Sequence, residues 1–315
     1  MSILDALMSR RRLLTLGGLG GLAGVPLIQG LFGSRAARAE PSAPSPEVPA
    51  CTDMNALRES FWREGCKYFV QTNVDPSGID DGVIRARVDG RWQDFAIREV
   101  TTDFLKWNFA KRKAMLNTMM TGKYDLYNDI HSAAVASYGA NRGDSRLTLN
   151  VAFKGTGWIP TKHYIKDKIQ LYADTYNASE MKKYQILTDN YAHQEWWRRD
   201  VLGSHDLYTT QDFESHTFLN QMVNPVSAIC FLDMISYEIR AVVRLLHPED
   251  PSLTEYERDL VTWVNYAHDW FHGTPTGGPL TAHRIVTLYY VTEMFDNSPI
   301  GQTDLAGGHR VIPVM

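Results

Sequence analysis

Two histidines four residues apart, His268 and His272, are the side chains whose types and spacing most directly suggest chemistry in this sequence. On an α-helix, residues i and i+4 lie on one face, so these two imidazoles could hold one metal ion. Residues 265–268 repeat residues 190–193, and this repeat places His193 on a comparable helical stripe. We therefore expect His193, His268 and His272 to supply nitrogen ligands. Because isolated helical histidines are more often hydrogen-bonded in a core or at a cap, that alternative stays open.

Glu238 is the acidic residue best placed to join these histidines. Residues 225–246 are predicted to form a helix, on which Glu238 shares a stripe with Phe231 and Leu245. A carboxylate among apolar side chains needs a cation, a hydrogen-bond donor or a proton. We expect Glu238 to provide an oxygen ligand that offsets the charge of the ion. The alternative is a buried salt bridge to another helix.

Two tryptophans, Trp197 and Trp270, are candidates to wall a cofactor pocket. Either ring could pack against haem, with one of the histidines as its axial ligand. Aromatic stripes also form ordinary helix cores, because these rings bury large areas. The sequence has no HExxH, P-loop, GxSxG or EF-hand motif and no GxGxxG between a strand and a helix. It therefore does not indicate a zinc peptidase, a nucleotide enzyme or an α/β-hydrolase.

The elements that must position these residues are predicted to be mainly α-helical. Apolar residues recur with helical spacing, and Gly, Pro and Asn residues separate the segments. Short connections favour antiparallel neighbours in a multi-helix, bundle-like domain. The expected helices are at about 53–71, 101–120, 162–176, 180–199, 210–223, 225–246, 253–272 and 281–295.

A small β element is predicted near the N-terminal side of this domain. Residues 83–88 alternate in polarity, an Asp-Gly pair follows at residue 89, and the chain returns through residues 92–97. This pattern is typical of a β-hairpin. A second short apolar run at 147–153 could join it, so that the β element spans about residues 82–153.

The N-terminus has the three parts of a signal peptide. Residues 9–14 carry consecutive arginines, an uncharged Gly-rich apolar stretch covers 15–33, and Ala37 to Ala39 offer a cleavage site. Paired arginines before a mildly hydrophobic segment resemble the twin-arginine (Tat) signal. The resemblance implies export of an already folded protein by the Tat translocase to the periplasm or beyond the cell. It also implies a cofactor inserted before export or a cofactor-bearing partner subunit.

The predicted organisation is a signal peptide at 1–39, a Pro-rich linker at 40–50 and one mainly helical domain at 51–315. The full chain has 315 residues and a formal net charge of −4. Without the signal peptide it has 27 basic and 35 acidic residues, a net charge of −8. An acidic chain without a basic patch argues against nucleic-acid binding, and we expect no membrane span in the mature chain.

Cysteine usage adds one further expectation. Cys51, Cys66 and Cys230 are an odd set in an oxidising compartment, so at most one internal pair can form. Cys51 and Cys66 could close a short loop, whereas Cys230 is expected to be a small hydrophobe in a helix. The pairing of the three stays open.

Together these observations lead to two hypotheses about function. The first is an exported helical metalloprotein, an oxidoreductase, in which His193, His268, His272 and Glu238 bind iron, manganese or copper between helices. A haem centre is a variant of it. The second is a noncatalytic accessory or binding subunit that is exported with a cofactor-bearing partner. Whether the chain is an enzyme is left open.

Overall fold

The dominant element of the computed structural model is a curled antiparallel β-sheet. The structure describes residues 61–63, 67–123, 130–210, 213–233, 235–274, 277–298 and 308–313. All of them belong to the unit Thr52–Met315. The predicted signal peptide, the linker, Cys51 and Cys66 lie outside the described residues.

Thirteen strands and five α-helices are found in the described part of the chain. The strands are β1 (Trp62–Arg63), β2 (Tyr68–Phe69), β3 (Val74–Asp75), β4 (Val83–Val88), β5 (Arg91–Ala96), β6 (Ser132–Ser137), β7 (Asn150–Gly155), β8 (Gly157–Pro160), β9 (Trp197–Asp206), β10 (Val226–Phe231), β11 (Tyr237–Leu246), β12 (Ile285–Asp296) and β13 (His309–Ile312). The helices are α1 (Thr102–Met120), α2 (Ile165–Asp174), α3 (Glu180–Asn190), α4 (His216–Val223) and α5 (Glu255–His272).

Eight of these strands form the main sheet, in the order β7-β6-β10-β11-β12-β9-β8, and β13 pairs with the end of β12. All of its pairings are antiparallel. Two small sheets, β1-β2 and β3-β4-β5, accompany it. The prediction of a mainly α, bundle-like domain with only a small β element is therefore wrong.

Some predicted helices are strands, because the spacing of their apolar residues fits a helix as well as a strand. Residues 225–246 form β10 and β11, and residues 281–295 contain most of β12. In β11 the side chains of Val242 and Val243 are both buried, one on each face of the sheet. A strand buried on both faces reads as a continuous apolar run, which also satisfies helical spacing. In the described part of predicted helix 53–71, Phe61 is helical, whereas Trp62–Arg63 and Tyr68–Phe69 form β1 and β2.

Several local predictions are confirmed. The β4–β5 hairpin turns at Asp89 and Gly90, whose φ angles of 49° and 77° lie in the left-handed region that an Asp-Gly turn supplies. The predicted helices at 101–120 and 180–199 begin where expected, and Thr101 caps α1 and Ser179 caps α3, each by accepting a hydrogen bond from a backbone N–H in the first turn. Helix α3, however, ends at Asn190, and the last residues of that predicted helix belong to β9.

The two edges of the main sheet meet. Strands β7 and β8 are separated in sequence by Thr156 alone, yet they pair with opposite ends of the strand path, β6 and β9. The Ser204 hydroxyl in β9 also donates to the Gly155 carbonyl at 2.6 Å. The sheet therefore curls round on itself and has an inner and an outer face. Inner side chains such as Val135 and Ile229 are fully buried and form the core.

Helix α1 closes one end of the inner face. The Phe104 ring lies against the rings of Trp158, Phe231 and Tyr237, with centroid distances of 6.2, 5.3 and 5.2 Å. Phe104 is fully buried there. Burial of such a ring stabilises the fold by roughly 1.5–3 kcal/mol relative to its exposure to water.

Helix α5 packs on the outer face across β8 and β9. It begins with a capping box in which Thr254 and Glu257 satisfy each other's backbone N–H groups. A Cβ at Gly203 would lie 2.7 Å from Ile159 Cδ1 and 3.1 Å from Val264 Cγ2. The glycine in β9 therefore allows α5 to approach the sheet closely.

Candidate functional site

The β4–β5 hairpin crosses the outer face of the main sheet and is fastened at both ends. At its turn, the Asp89 backbone N–H donates to Asn224 Oδ1 and the Asn224 amide donates to Asp89 Oδ1, both at 3.2 Å. The Tyr138 hydroxyl donates to Asp89 Oδ2, also at 3.2 Å. At its base, the Arg98 backbone N–H donates to the Val291 carbonyl of β12 at 2.8 Å. The hairpin is thus held above the sheet as a cover.

A groove of about 600 Å³ lies between this hairpin and the outer face of the sheet. Small side chains line it on both sides: Ala136 of β6 and Ala228 of β10 from the sheet, and Ala96 from the hairpin. Tyr138 and Leu149 line it toward the turn of the hairpin. The result is a shallow apolar space with room for a small organic molecule.

A network of ion pairs forms one rim of the groove. Arg240 Nε lies 2.8 Å from Glu238 Oε1, and Arg240 Nη1 lies 3.4 Å from Glu293 Oε2. Arg310 Nη2 pairs with the other Glu293 oxygen at 2.6 Å. The predicted site residue Glu238 therefore lies in a sheet strand, with its side chain about 20% exposed and bound to a cation on its own strand. The salt-bridge alternative describes its surroundings better than a metal ligand does.

Arg98 is the lining cation that this network does not include. Its side chain is exposed and forms no ion pair or hydrogen bond with any residue that the structure describes. The remaining lining carboxylate, Asp94, instead lies near Arg85, with an Nε–Oδ1 distance of 3.7 Å. One guanidinium at the base of the hairpin is thus available to an anion.

Three histidines meet on the outer face at the other side of the sheet. The His268 and His272 rings have centroids 4.8 Å apart, and the His205 ring of β9 lies 4.9 Å from that of His268. Asp269 Oδ1 accepts hydrogen bonds from His268 Nδ1 at 2.9 Å and from Arg284 Nη1 at 2.6 Å. The predicted neighbours His268 and His272 are therefore together, and His205 is the partner that sequence reasoning missed.

Burial and neighbouring cationic groups keep His205 neutral. Loss of water lowers its pKa well below the ordinary value of histidine, and nearby titratable side chains lower it further. These are His268, Arg284, His131 and His272. Its Nε2 atom is buried and has no hydrogen-bond partner among the described residues.

His193 lies apart from this group. Its Nδ1 is 2.9 Å from Glu195 Oε1, its Nε2 is 3.7 Å from Asp189 Oδ1, and its ring stacks on Trp196 at 4.0 Å. Within the described ranges, no group of three or more His, Cys, Asp or Glu side chains could hold a metal ion. The hypothesis of a helical metalloprotein oxidoreductase, with a site between helices, is wrong because the fold is β-rich and Glu238 lies on a strand of the sheet.

Both predicted cofactor-binding tryptophans are buried among other side chains. Trp270 stacks on Tyr172 with centroids 4.3 Å apart, and its Nε1–H donates to Thr175 Oγ1 at 3.0 Å. Trp197 Nε1–H donates to the Asn190 carbonyl at 2.8 Å. Only 5% of Trp197 and none of Trp270 is exposed, so both rings pack in the core. Cys230 is a free cysteine on β10, not on a helix, and burial raises the pKa of its thiol.

The groove residues were missed because no motif marks them. The small residues belong to alternating runs, Ser-Ala-Ala-Val-Ala-Ser at 132–137 and Val-Ser-Ala-Ile-Cys-Phe at 226–231. Alternation of this kind indicates strands with one smooth face. With the correct strand assignment, a flat alanine surface near the Asp-Gly hairpin would have been a visible signal.

Comparisons with known proteins leave the chain without a family. No protein-family description and no curated protein sequence matches it. Among solved structures it is similar to a crystal structure of Group A Streptococcus HupZ with V5 and hexahistidine tags, at 12% identity and a TM-score of 0.30. That similarity covers 64% of this chain and 96% of the HupZ chain, and it is too low to support an argument. None of the helices described is long and apolar enough to cross a membrane.

Proposed function

We propose that the protein binds a small organic anion with a flat apolar body in the groove beneath the β4–β5 hairpin. The observation that carries this proposal is the combination of an alanine-lined space with the guanidinium of Arg98 at its base, which pairs with none of the residues that the structure describes. An apolar surface with a small number of precisely placed polar or charged groups is the usual composition of a small-molecule site.

The size and chemistry of the groove define the ligand class. Pockets of roughly 300–1,000 Å³ accommodate drug-sized and cofactor-sized molecules. Alanine side chains leave a flat surface on which an aromatic or macrocyclic body can lie. A guanidinium forms paired hydrogen bonds with carboxylate, sulfonate or phosphate oxygens.

The ion-pair network prepares the rim for such a ligand. Glu293 forms ion pairs with Arg240 and Arg310 on the adjacent strands. Both guanidinium groups are therefore already fixed before a ligand binds. Side chains already held in place reduce the entropic cost of binding. Arg98, in contrast, is free to turn toward the anion.

Haem, which the sequence suggested as an alternative cofactor, belongs to this chemical class. Its macrocycle is flat and apolar, and its propionates are anions. The groove lining contains no histidine, cysteine or methionine among the described residues. Binding of haem here would therefore depend on Arg98 and the apolar lining, not on the histidines predicted as axial ligands.

The fluorescent dye anilinonaphthalene sulfonate, an aromatic sulfonate, is a suitable first probe. We expect its fluorescence to rise on binding to the native protein, with an affinity at least tenfold lower for Arg98→Gln. Ala228→Trp should fill the groove and abolish binding. Arg91→Gln, on an exposed residue of the same hairpin that does not line the groove, is the matched control. Equal affinities for the native protein, Arg98→Gln and Ala228→Trp would refute the proposal.

We further propose that residues 1–39 direct export of the folded protein by the Tat translocase. The paired arginines and the Gly-rich apolar stretch support this. Fusion of residues 1–50 to a reporter that is exported only when folded tests it directly. Replacement of Arg10, Arg11 and Arg12 by lysine should retain the reporter in the cytoplasm, and unchanged export would contradict the proposal. The predicted partner subunit remains a prediction.

A further inference from the structure

The outer face of β7 and of the residues before it carries a row of exposed apolar side chains. Leu147, Leu149, Val151 and Phe153 alternate with more polar neighbours and are exposed by 71, 60, 59 and 77%. Together they expose roughly 500 Å² of surface, which is near the upper end of the largest apolar patch on a typical monomer. We call these four residues the apolar row.

A flat shelf of small residues lies directly beside this row. In the register of the sheet, Ala134 of β6 pairs with Phe153, and Ala136 pairs with Val151. Ala228 and Cys230 of β10 continue the same face beyond β6. Large side chains and a smooth shelf therefore lie next to each other on one surface, without an ionisable carboxylate, amine or guanidinium in either.

We propose that a second copy of this chain binds here by two-fold symmetry, with the apolar row of each copy on the alanine shelf of the other. A two-fold interface must be complementary to itself. The apolar row and the alanine shelf lie side by side, so the row of each copy can contact the shelf of the other. The row on two copies accounts for about 1,000 Å², and the shelves bring the total to the roughly 1,200 Å² or more of a stable interface.

The charge distribution makes this face the part of the surface where two copies of the chain can approach. The chain is acidic overall, with 36 acidic and 32 basic residues, so two copies repel over most of their surface. The row and the shelf carry no acidic residue, so this face offers apolar contact with little charge repulsion. The charged neighbours of the shelf on β11, Glu238 beside Cys230 and Arg240 beside Ala228, are paired with each other.

The proposed interface overlaps the ligand groove. Leu149 belongs to the apolar row and lines the groove, as do Ala136 and Ala228 of the shelf. The row of the second copy and the apolar body of a ligand would therefore occupy overlapping parts of this face. This consequence rests on the proposed function, whereas the dimer itself does not.

Sedimentation equilibrium of the purified protein between about 0.1 and 100 µM tests the interface. We expect twice the chain mass for the native protein and a dissociation constant at least about thirtyfold higher for Phe153→Lys, as for a residue at an interface hot spot. Met181→Lys, on the exposed face of α3, is the matched control and should leave the dimer unchanged. Circular dichroism melting of each variant confirms that it is folded.

The outcomes separate the two proposals. A native protein that stays monomeric at 100 µM, or a dimer that Phe153→Lys does not weaken, overturns the interface. A heteromeric complex through the same face would appear as a monomer of the pure chain and would overturn it as well. If the dimer forms but the dye binds independently of Arg98, only the proposed function fails.

Discussion

Replacement of Asn224 by aspartate should release the turn of the β4–β5 hairpin while leaving the main sheet intact. Asn224 is buried with 3% exposure, and its side chain exchanges two hydrogen bonds with Asp89. Aspartate keeps the shape and the acceptor but removes the donor to the Asp89 carboxylate. A lost hydrogen bond to a charged group costs about 1.5–3 kcal/mol. Since about 1.4 kcal/mol is a factor of ten, the hairpin should open at least roughly tenfold more often.

The new carboxylate also makes the defect depend on pH. Two carboxylates about 3 Å apart do not both ionise readily, so the pKa of one rises above the usual value of about 3.9 for aspartate. A pKa that is higher in the folded state means that the folded state takes up the proton more readily, so stability returns as the pH falls through that pKa. The defect is therefore greatest near neutral pH and is relieved in mild acid.

Hydrogen exchange of the hairpin amides and dye titration measure both effects. We expect Asn224→Asp to exchange about tenfold faster than the native protein at pH 7.5, with a parallel loss of dye affinity. Asn224→Ala removes the same contacts without a charge, so its ratio to the native protein should not change with pH. Native exchange rates and native affinity for Asn224→Asp at pH 7.5 would show that the turn is not held there, and the reasoning would be refuted.

Two further predictions concern the outer face beneath α5. Burial lowers the pKa of His205 below its value in the unfolded chain, so the free energy of unfolding should fall as the pH drops below about 6.5, by up to about 2 kcal/mol at pH 5. His205→Gln should flatten this part of a curve of melting temperature against pH. An unchanged slope for that variant would contradict the assignment to His205. Gly203→Val should lower the free energy of unfolding by about 1–3 kcal/mol, because the new valine side chain would clash with Ile159 and Val264. Chemical denaturation measures this loss. An unchanged free energy of unfolding would show that α5 can move away from β9.

Local structure followed from the sequence wherever one short-range signal was sufficient. The Asp-Gly pair at residue 89 needs a left-handed turn, and the hairpin forms around it. Thr101 and Ser179 each precede a helix that they cap. These features depend on a few neighbouring residues, so tertiary contacts did not alter them.

The fold class could not be predicted from the sequence, because strands that are buried on both faces do not show alternating polar and apolar residues. Residues 241–246 of β11 are all buried, although their side chains alternate between the two faces of the sheet. Their pattern therefore satisfied helical spacing as well as strand spacing, and the enrichment in Val was the signal that favoured a strand. The error moved Glu238 from the outer face of a sheet to a helix, and the predicted metal site depended on that placement.

The same curled sheet explains why the histidines and the groove are separate sites. His205 and Gly203 face outward from β9 beneath α5, whereas Ala136 and Ala228 face outward from β6 and β10 beneath the hairpin. An outer face that curls through most of a circle presents different strands in different directions, so residues on it do not converge on one point as they do between helices of a bundle. Side chains on the outer face can surround a ligand only where another element covers them. Over the groove, that element is the β4–β5 hairpin, which Asp89 holds in place. Ligand binding should therefore respond to the hairpin contacts and to Arg98, and it should not respond to the substitution of His268 or His272.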